Sequence, residues 1–171
     1  MRHEYSLALR VSIALILLLL PIDIFYLLLL KPTLYASAFF LSSYNPVITS
    51  DGLVIGGIIL KFIPACIASL AYLLLILLIL LTRGLTFKKS IGLFLLGSLI
   101  IFAANIIRID MLIYVYFEYG RDLFNKLHLV IWDVLSSIFV ASMWIFFVYA
   151  FKIKSTPVYD DLIALYTRVK R

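Results

Sequence analysis

Ile91-Gly92-Leu93-Phe94-Leu95-Leu96-Gly97-Ser98-Leu99-Ile100-Ile101-Phe102-Ala103-Ala104-Asn105-Ile106-Ile107-Arg108 is the stretch whose reading decides the class of this chain. It carries no charge until its last residue. A run of about 20 apolar residues crosses a hydrocarbon core of roughly 30 Å, so the stretch reads as a membrane span. An arginine at the edge of such a span is costly unless it is paired, hydrated or reaching the interface, and by default it marks function.

Similar runs lie on both sides of it. Residues 7–30 form a largely apolar run broken by Pro21 and Asp23, residues 64–81 are almost entirely Leu, Ile and Ala, and residues 128–151 form a fourth run. Across all 171 residues the chain is 65% hydrophobic and 14% charged, with a mean hydropathy of +1.15. These values exclude a soluble globular domain and a disordered segment. The expectation is an all-α polytopic membrane protein: one domain over 1–171, built as a four-span helical bundle with spans at about 7–30, 64–81, 91–112 and 128–151.

The net charge of +6 sits beside the spans, so it reads as a topology signal and not as a nucleic-acid surface. Arg2, Arg10, Arg83, Lys88, Lys89, Lys152, Lys154, Arg168, Lys170 and Arg171 would share one side. Lys31, Lys61, Arg108, Arg121 and Lys126 would take the other, largely offset by Asp51, Asp110, Glu118 and Asp122. Ten against five places both termini in the cytoplasm. Ala36-Ser37-Ala38 looks like a signal-peptidase site, but the apolar run before it is too long for a signal peptide.

Residues 31–63 are expected to form an outer loop. Tyr35, Phe39, Phe40 and Tyr44 suit the headgroup level, and Asp51-Gly52 between two β-branched runs signals a short outer β-hairpin before the second span. Residues 156–171 read as a cytoplasmic amphipathic tail: Thr156-Pro157 starts it, and Val158, Leu162, Leu165 and Val169 share a face.

The chemistry-bearing residues converge on the outer side. Cys66, the only cysteine, cannot form an internal disulfide. It follows Pro64 at the expected start of a helix, a setting that with a nearby cation favours a nucleophilic thiolate. A lone cysteine in apolar surroundings is more often inert packing. Arg108, at the outer end of the third span, reads as a thiolate or oxyanion stabiliser, with Asn105 one turn away to orient it. His128, at the outer start of the fourth span, suits general acid/base work, with Trp132 expected to pack against it. Ser69 lies one turn below Cys66 in a supporting position. Asp23 and Asp133 read as polar pairings between helices. One cysteine and two histidines, with His3 on the opposite side, are too few for a zinc site, and no cofactor is expected.

The motifs Pro64-Ala65-Cys66-Ile67-Ala68-Ser69, Asn105-Ile106-Ile107-Arg108-Ile109 and His128, in that order on successive helices, resemble the archaeosortase/exosortase family of membrane cysteine transpeptidases. The resemblance covers about 51–144, and the chain looks like a minimal archaeal-type member because many relatives carry extra spans before this core. It implies that Cys66 is the nucleophile, Arg108 the essential arginine and His128 the proton-transfer group. It also implies cleavage of C-terminal sorting signals of exported proteins through a thioester, with transfer to a lipid or other acceptor. The partner would be an exported protein ending in a motif, an apolar span and a basic tail. The protein would sit in the cell membrane as a multi-pass enzyme with an extracytoplasmic active site. The alternative is a non-enzymatic small membrane protein, such as a transporter subunit or assembly factor.

Overall fold

The structure, a computed structural model, describes residues 2–19, 23–131 and 136–153, with the side chains of 2–8 and 23 left out. Helix α1 covers Arg2–Leu19 and α2 covers Asp23–Phe40. A short 3-10 turn at Ser42–Tyr44 leads into strands β1 (Val47–Ile48), β2 (Gly52–Ile55) and β3 (Ile58–Lys61). A second 3-10 turn, Pro64–Ile67, precedes α3 (Ser69–Leu81). Helices α4 (Phe87–Tyr119), α5 (Arg121–Val130) and α6 (Ser136–Ala150) follow.

The expected four-span bundle is not what the chain forms. Among the described residues only α4 is long and apolar enough to cross a membrane, or two elements if the bent α1/α2 pair counts as one span. The reasons are local. The run at 7–30 divides into α1 and α2, whose apolar parts meet at 63°. The run at 64–81 loses its first turn, because Ala68 adopts a left-handed conformation (φ 58°) and α3 begins only at Ser69. Its 13 residues rise about 20 Å, well short of a bilayer core. The run at 128–151 also divides: His128 lies in the last turn of the separate helix α5, and α6 has only 15 residues. Without four crossings, the count that placed both termini on one side no longer holds. Asp133, Trp132 and the 156–171 tail lie outside the described residues.

The expected outer loop at 31–63 is also corrected. Helix α2 runs through Pro32 to Phe40, and the segment after it forms a three-stranded antiparallel sheet in the order β1-β2-β3 instead of a single hairpin. Thr49 closes the β1–β2 turn: its N–H and its Oγ1 both donate to the Gly52 carbonyl, at 2.9 and 3.0 Å. The β2–β3 turn is Gly56-Gly57, both at positive φ (56° and 80°), the backbone of a two-residue hairpin turn. Gly52 has a separate role, since a Cβ there would collide with the Leu60 carbonyl on β3.

Two apolar clusters hold the elements. Leu30 and Leu34 of α2, Leu53 and Ile55 of β2, Ile67, and Ile109 and Ile113 of α4 form the first, which seats the sheet on the helices. Tyr72 and Leu75 of α3, Leu93 and Ile101 of α4, and Val140 and Phe147 of α6 form the second. Outward-facing Leu95, Leu99 and Ile107 leave another side of α4 apolar and exposed, at 62%, 64% and 68%, as contact with lipid requires.

Gly97 lets α4 approach its neighbours. A Cβ there would sit 2.7 Å from Leu75 Cδ2 and 3.1 Å from Phe147 Cε2, both fully buried side chains. Gly97→Val is therefore expected to destabilise the fold by ~1–3 kcal/mol through overpacking, read as a lower midpoint of thermal unfolding in detergent.

Candidate active site

The site begins with a short turn that satisfies its own backbone only in part. Pro64 opens the 3-10 turn, Cys66 N–H donates to the Ile63 carbonyl at 2.8 Å, and the left-handed Ala68 ends the turn before α3 starts. A non-glycine residue in that conformation costs roughly 1 kcal/mol. It leaves the Ala65 carbonyl with one long bond inside the turn, from the Ala68 N–H at 3.3 Å, and leaves both the Ala65 and Cys66 carbonyls able to accept from another element. Buried acceptors need donors, and α4 supplies them. Asn105 Nδ2 donates to the Cys66 carbonyl at 2.9 Å. Arg108 Nη2 donates to the Ala65 carbonyl at 3.1 Å and to the Cys66 carbonyl at 3.2 Å. The spacing of three residues puts both side chains on one face of α4. Tyr26 of α2 holds the approach to the turn, its hydroxyl donating to the Phe62 carbonyl at 3.0 Å.

This geometry corrects two details of the sequence reading. Cys66 is not at the amino end of a long helix; it sits in a four-residue 3-10 turn just before α3. His128 does not open a span. It lies in the last turn of α5, packed on Phe124 with ring centroids 5.4 Å apart. Asn105 supports the Cys66 carbonyl directly, through an acceptor it shares with Arg108.

Cys66 and Arg108 are within electrostatic reach of each other, as are Arg108 and His128. Cys66 is half-buried and packs on the Leu34/Ile109/Ile113 cluster. The rest of the guanidinium borders two adjoining cavities of about 150 and 250 Å³ between α3, α4 and α6. Ala68, Ala71, Ser136 and Val140 line both, and Cys66 lines neither. Burial and the Arg108 charge hold the His128 imidazole below its ordinary pKa of 6.5, so it is neutral at neutral pH and able to accept a proton.

Nine buried side-chain polar atoms among the described residues lack a hydrogen-bond partner, and four of them belong to this site: Ser69 Oγ, Asn105 Oδ1, Arg108 Nε and His128 Nδ1. Orphaned buried polar groups are rare and call for a reason.

Sequence reasoning missed Tyr26, Phe124 and Ser136. A tyrosine inside the Leu-rich run of α2 was the available signal for Tyr26, because a buried hydroxyl needs a partner. Nothing local to Phe124 or Ser136 marks them. No group of acidic, histidine and cysteine side chains among the described residues could hold a metal ion.

No family model, curated protein or solved structure matches this chain.

Two measurements test this arrangement. Asn105→Ala and Arg108→Met are each expected to cost ~1–3 kcal/mol and to speed hydrogen exchange of the Cys66 and Ala68 amides; unchanged exchange would show that the carbonyl grip does not hold the turn. In an NMR titration, His128 should deprotonate below 6.5. Arg108→Met should move its midpoint upward, because removing a neighbouring cation makes imidazolium less unfavourable.

Proposed function

We propose that the protein is a membrane-embedded cysteine peptidase or transpeptidase of the archaeosortase/exosortase type. It would cleave C-terminal sorting signals of exported proteins and pass them to a lipid or other acceptor. The observation that carries the reading is the place of Arg108: its guanidinium bonds the Cys66 carbonyl, and its charge is felt by both the Cys66 turn and the His128 imidazole, with Asn105 on the same carbonyl.

In this mechanism the His128 imidazole takes the Cys66 proton. The thiolate then attacks a peptide carbonyl carbon, forming a C–S bond. Arg108 stabilises the thiolate and the resulting oxyanion. Collapse breaks the C–N bond, and His128 returns the proton to the departing amine, leaving a thioester. An amine or hydroxyl acceptor attacks that thioester and gives up its proton through His128, restoring the thiol. Water in the acceptor's place would give hydrolysis.

The sheet suits an extended substrate. The Phe62 N–H donates to the Asp51 carbonyl at 2.8 Å, so Phe62, Leu60 and Ile58 are the residues of that strand bonded to β2. The backbone groups of Ile59 and Lys61 therefore point to the outer edge of β3. A peptide added there by strand pairing would run toward the turn that bears Cys66. The basic end of α4, with Arg83, Lys88 and Lys89, would face the cytoplasm, which puts Cys66 on the extracytoplasmic side, with α4 and the bent α1/α2 pair crossing the membrane.

One observation favours a second reading, a non-enzymatic membrane protein such as a transporter subunit or assembly factor. The hydrogen bonds of Arg108 go to backbone carbonyls, which a purely structural clamp would also explain. Co-expression with a protein ending in a motif, an apolar span and a basic tail separates the two. The peptidase reading expects a trapped thioester on wild type, none on Cys66→Ala, and loss of processing by at least about a hundredfold in His128→Ala. Processing that survives Cys66→Ala would sink it. Mass analysis of the trimmed protein, with or without an attached lipid, tells transfer from hydrolysis.

A further inference from the structure

A large cavity lies at the other end of α4. It encloses about 710 Å³ and is bordered by α1, the end of α3, the 82–86 turn and the start of α4. Its composition is divided. Arg10 from α1 and Arg83 from the turn are both half-buried and supply two guanidinium groups, whereas Ile76, Leu80, Ile91 and Phe94 make apolar walls. None of the described residues lining it is acidic.

We propose that this cavity binds one anionic phospholipid, with its phosphate between Arg10 and Arg83 and an acyl chain along Leu80, Ile91 and Phe94. The proposal does not depend on the peptidase reading. Guanidinium groups match phosphate in shape and charge. Both arginines already interact with other groups of the chain, but each carries five N–H donors and can hold a phosphate oxygen as well. A small soluble phosphate would leave the apolar walls unused, whereas a lipid uses both halves. The volume falls within the range of small-molecule sites.

Depth agrees with this assignment. Ser90 at the cavity and Arg108 at the Cys66 turn are 18 residues apart on α4, about 27 Å along the axis, close to the thickness of a hydrocarbon core. If Arg108 sits at one surface, the cavity sits at the opposite headgroup level, where basic pockets between helices bind anionic lipid headgroups. The first turn of α4, capped by the Thr86 side chain and carrying Lys88 and Lys89, adds positive potential there.

The test is native mass spectrometry of the full chain, released from detergent micelles holding equal amounts of phosphatidylglycerol and phosphatidylcholine. One phosphatidylglycerol per chain should be retained in preference to phosphatidylcholine. Arg83→Gln and Arg10→Gln should each lower that preference on the order of tenfold. Leu80→Trp, which fills the apolar half and keeps both arginines, should lower lipid retention to a similar degree. Lys61→Gln, on the distant sheet, should change nothing. Thermal unfolding in the same detergent identifies any variant that fails to fold, and the remaining variants then decide. Equal retention of the two lipids, a preference unmoved by Arg10→Gln and Leu80→Trp, or displacement of the lipid by inorganic phosphate would each overturn the proposal.

Discussion

The structure depends on how the carbonyls of Ala65 and Cys66 are satisfied. Ala68 interrupts the helix that the sequence would otherwise start at Pro64, so the Ala65 carbonyl keeps only a long bond from the Ala68 N–H, at 3.3 Å, and the Cys66 carbonyl looks to α4. In apolar surroundings an unmet carbonyl costs several kcal/mol. Asn105 and Arg108 meet them, and in doing so they set the depth and rotation of α4 against the Cys66 turn. The same contacts account for an arginine within a long apolar helix: its desolvation is offset by charge-assisted hydrogen bonds to two carbonyls.

Other features follow from that grip. With the turn fixed from α4, Tyr26 fixes it from α2 through the Phe62 carbonyl, and β3 enters the turn directly after Lys61. The sheet is thus tied to the helices by polar bonds at the turn and by the Leu34/Leu53/Ile113 cluster. His128 arrives from the far side on the short helix α5, after Gly120 reverses the chain with a φ of 87°. The Arg108 guanidinium touches all of these relations at once. It bonds the turn, borders the cavities between α3, α4 and α6, and adds to the burial that holds the His128 imidazole below its ordinary pKa.

Much of the candidate site was legible because rare residues stand out against an apolar background. Cys66, Asn105, Arg108 and His128 could be picked from composition alone, and the spacing of 105 and 108 put two of them on one helical face. Their contacts were not legible. Arg108 was expected to serve the thiol, yet its hydrogen bonds go to backbone oxygens, which carry no sequence label. Cys66 was expected at a helix start because Pro64 favours one. The left-handed Ala68 has no local signature, since alanine is the strongest helix former. The Asp51-Gly52 signal suggested a single hairpin, and the second turn, at Gly56-Gly57, went unread.

Hydropathy by itself determined that this chain holds a helix able to cross a membrane, because α4 needs only an unbroken run of apolar residues. It also determined which polar side chains would need partners, since any polar group in such a run must find one. Only the tertiary structure decided how many of the other apolar runs remain continuous helices. At Ala68 a left-handed residue ends the turn before α3, with nothing in the neighbouring sequence to mark it. The tertiary structure likewise decided that Arg108 grips a backbone turn while reaching toward Cys66 and His128, because an acceptor presented by a broken helix exists only once the chain has folded around it.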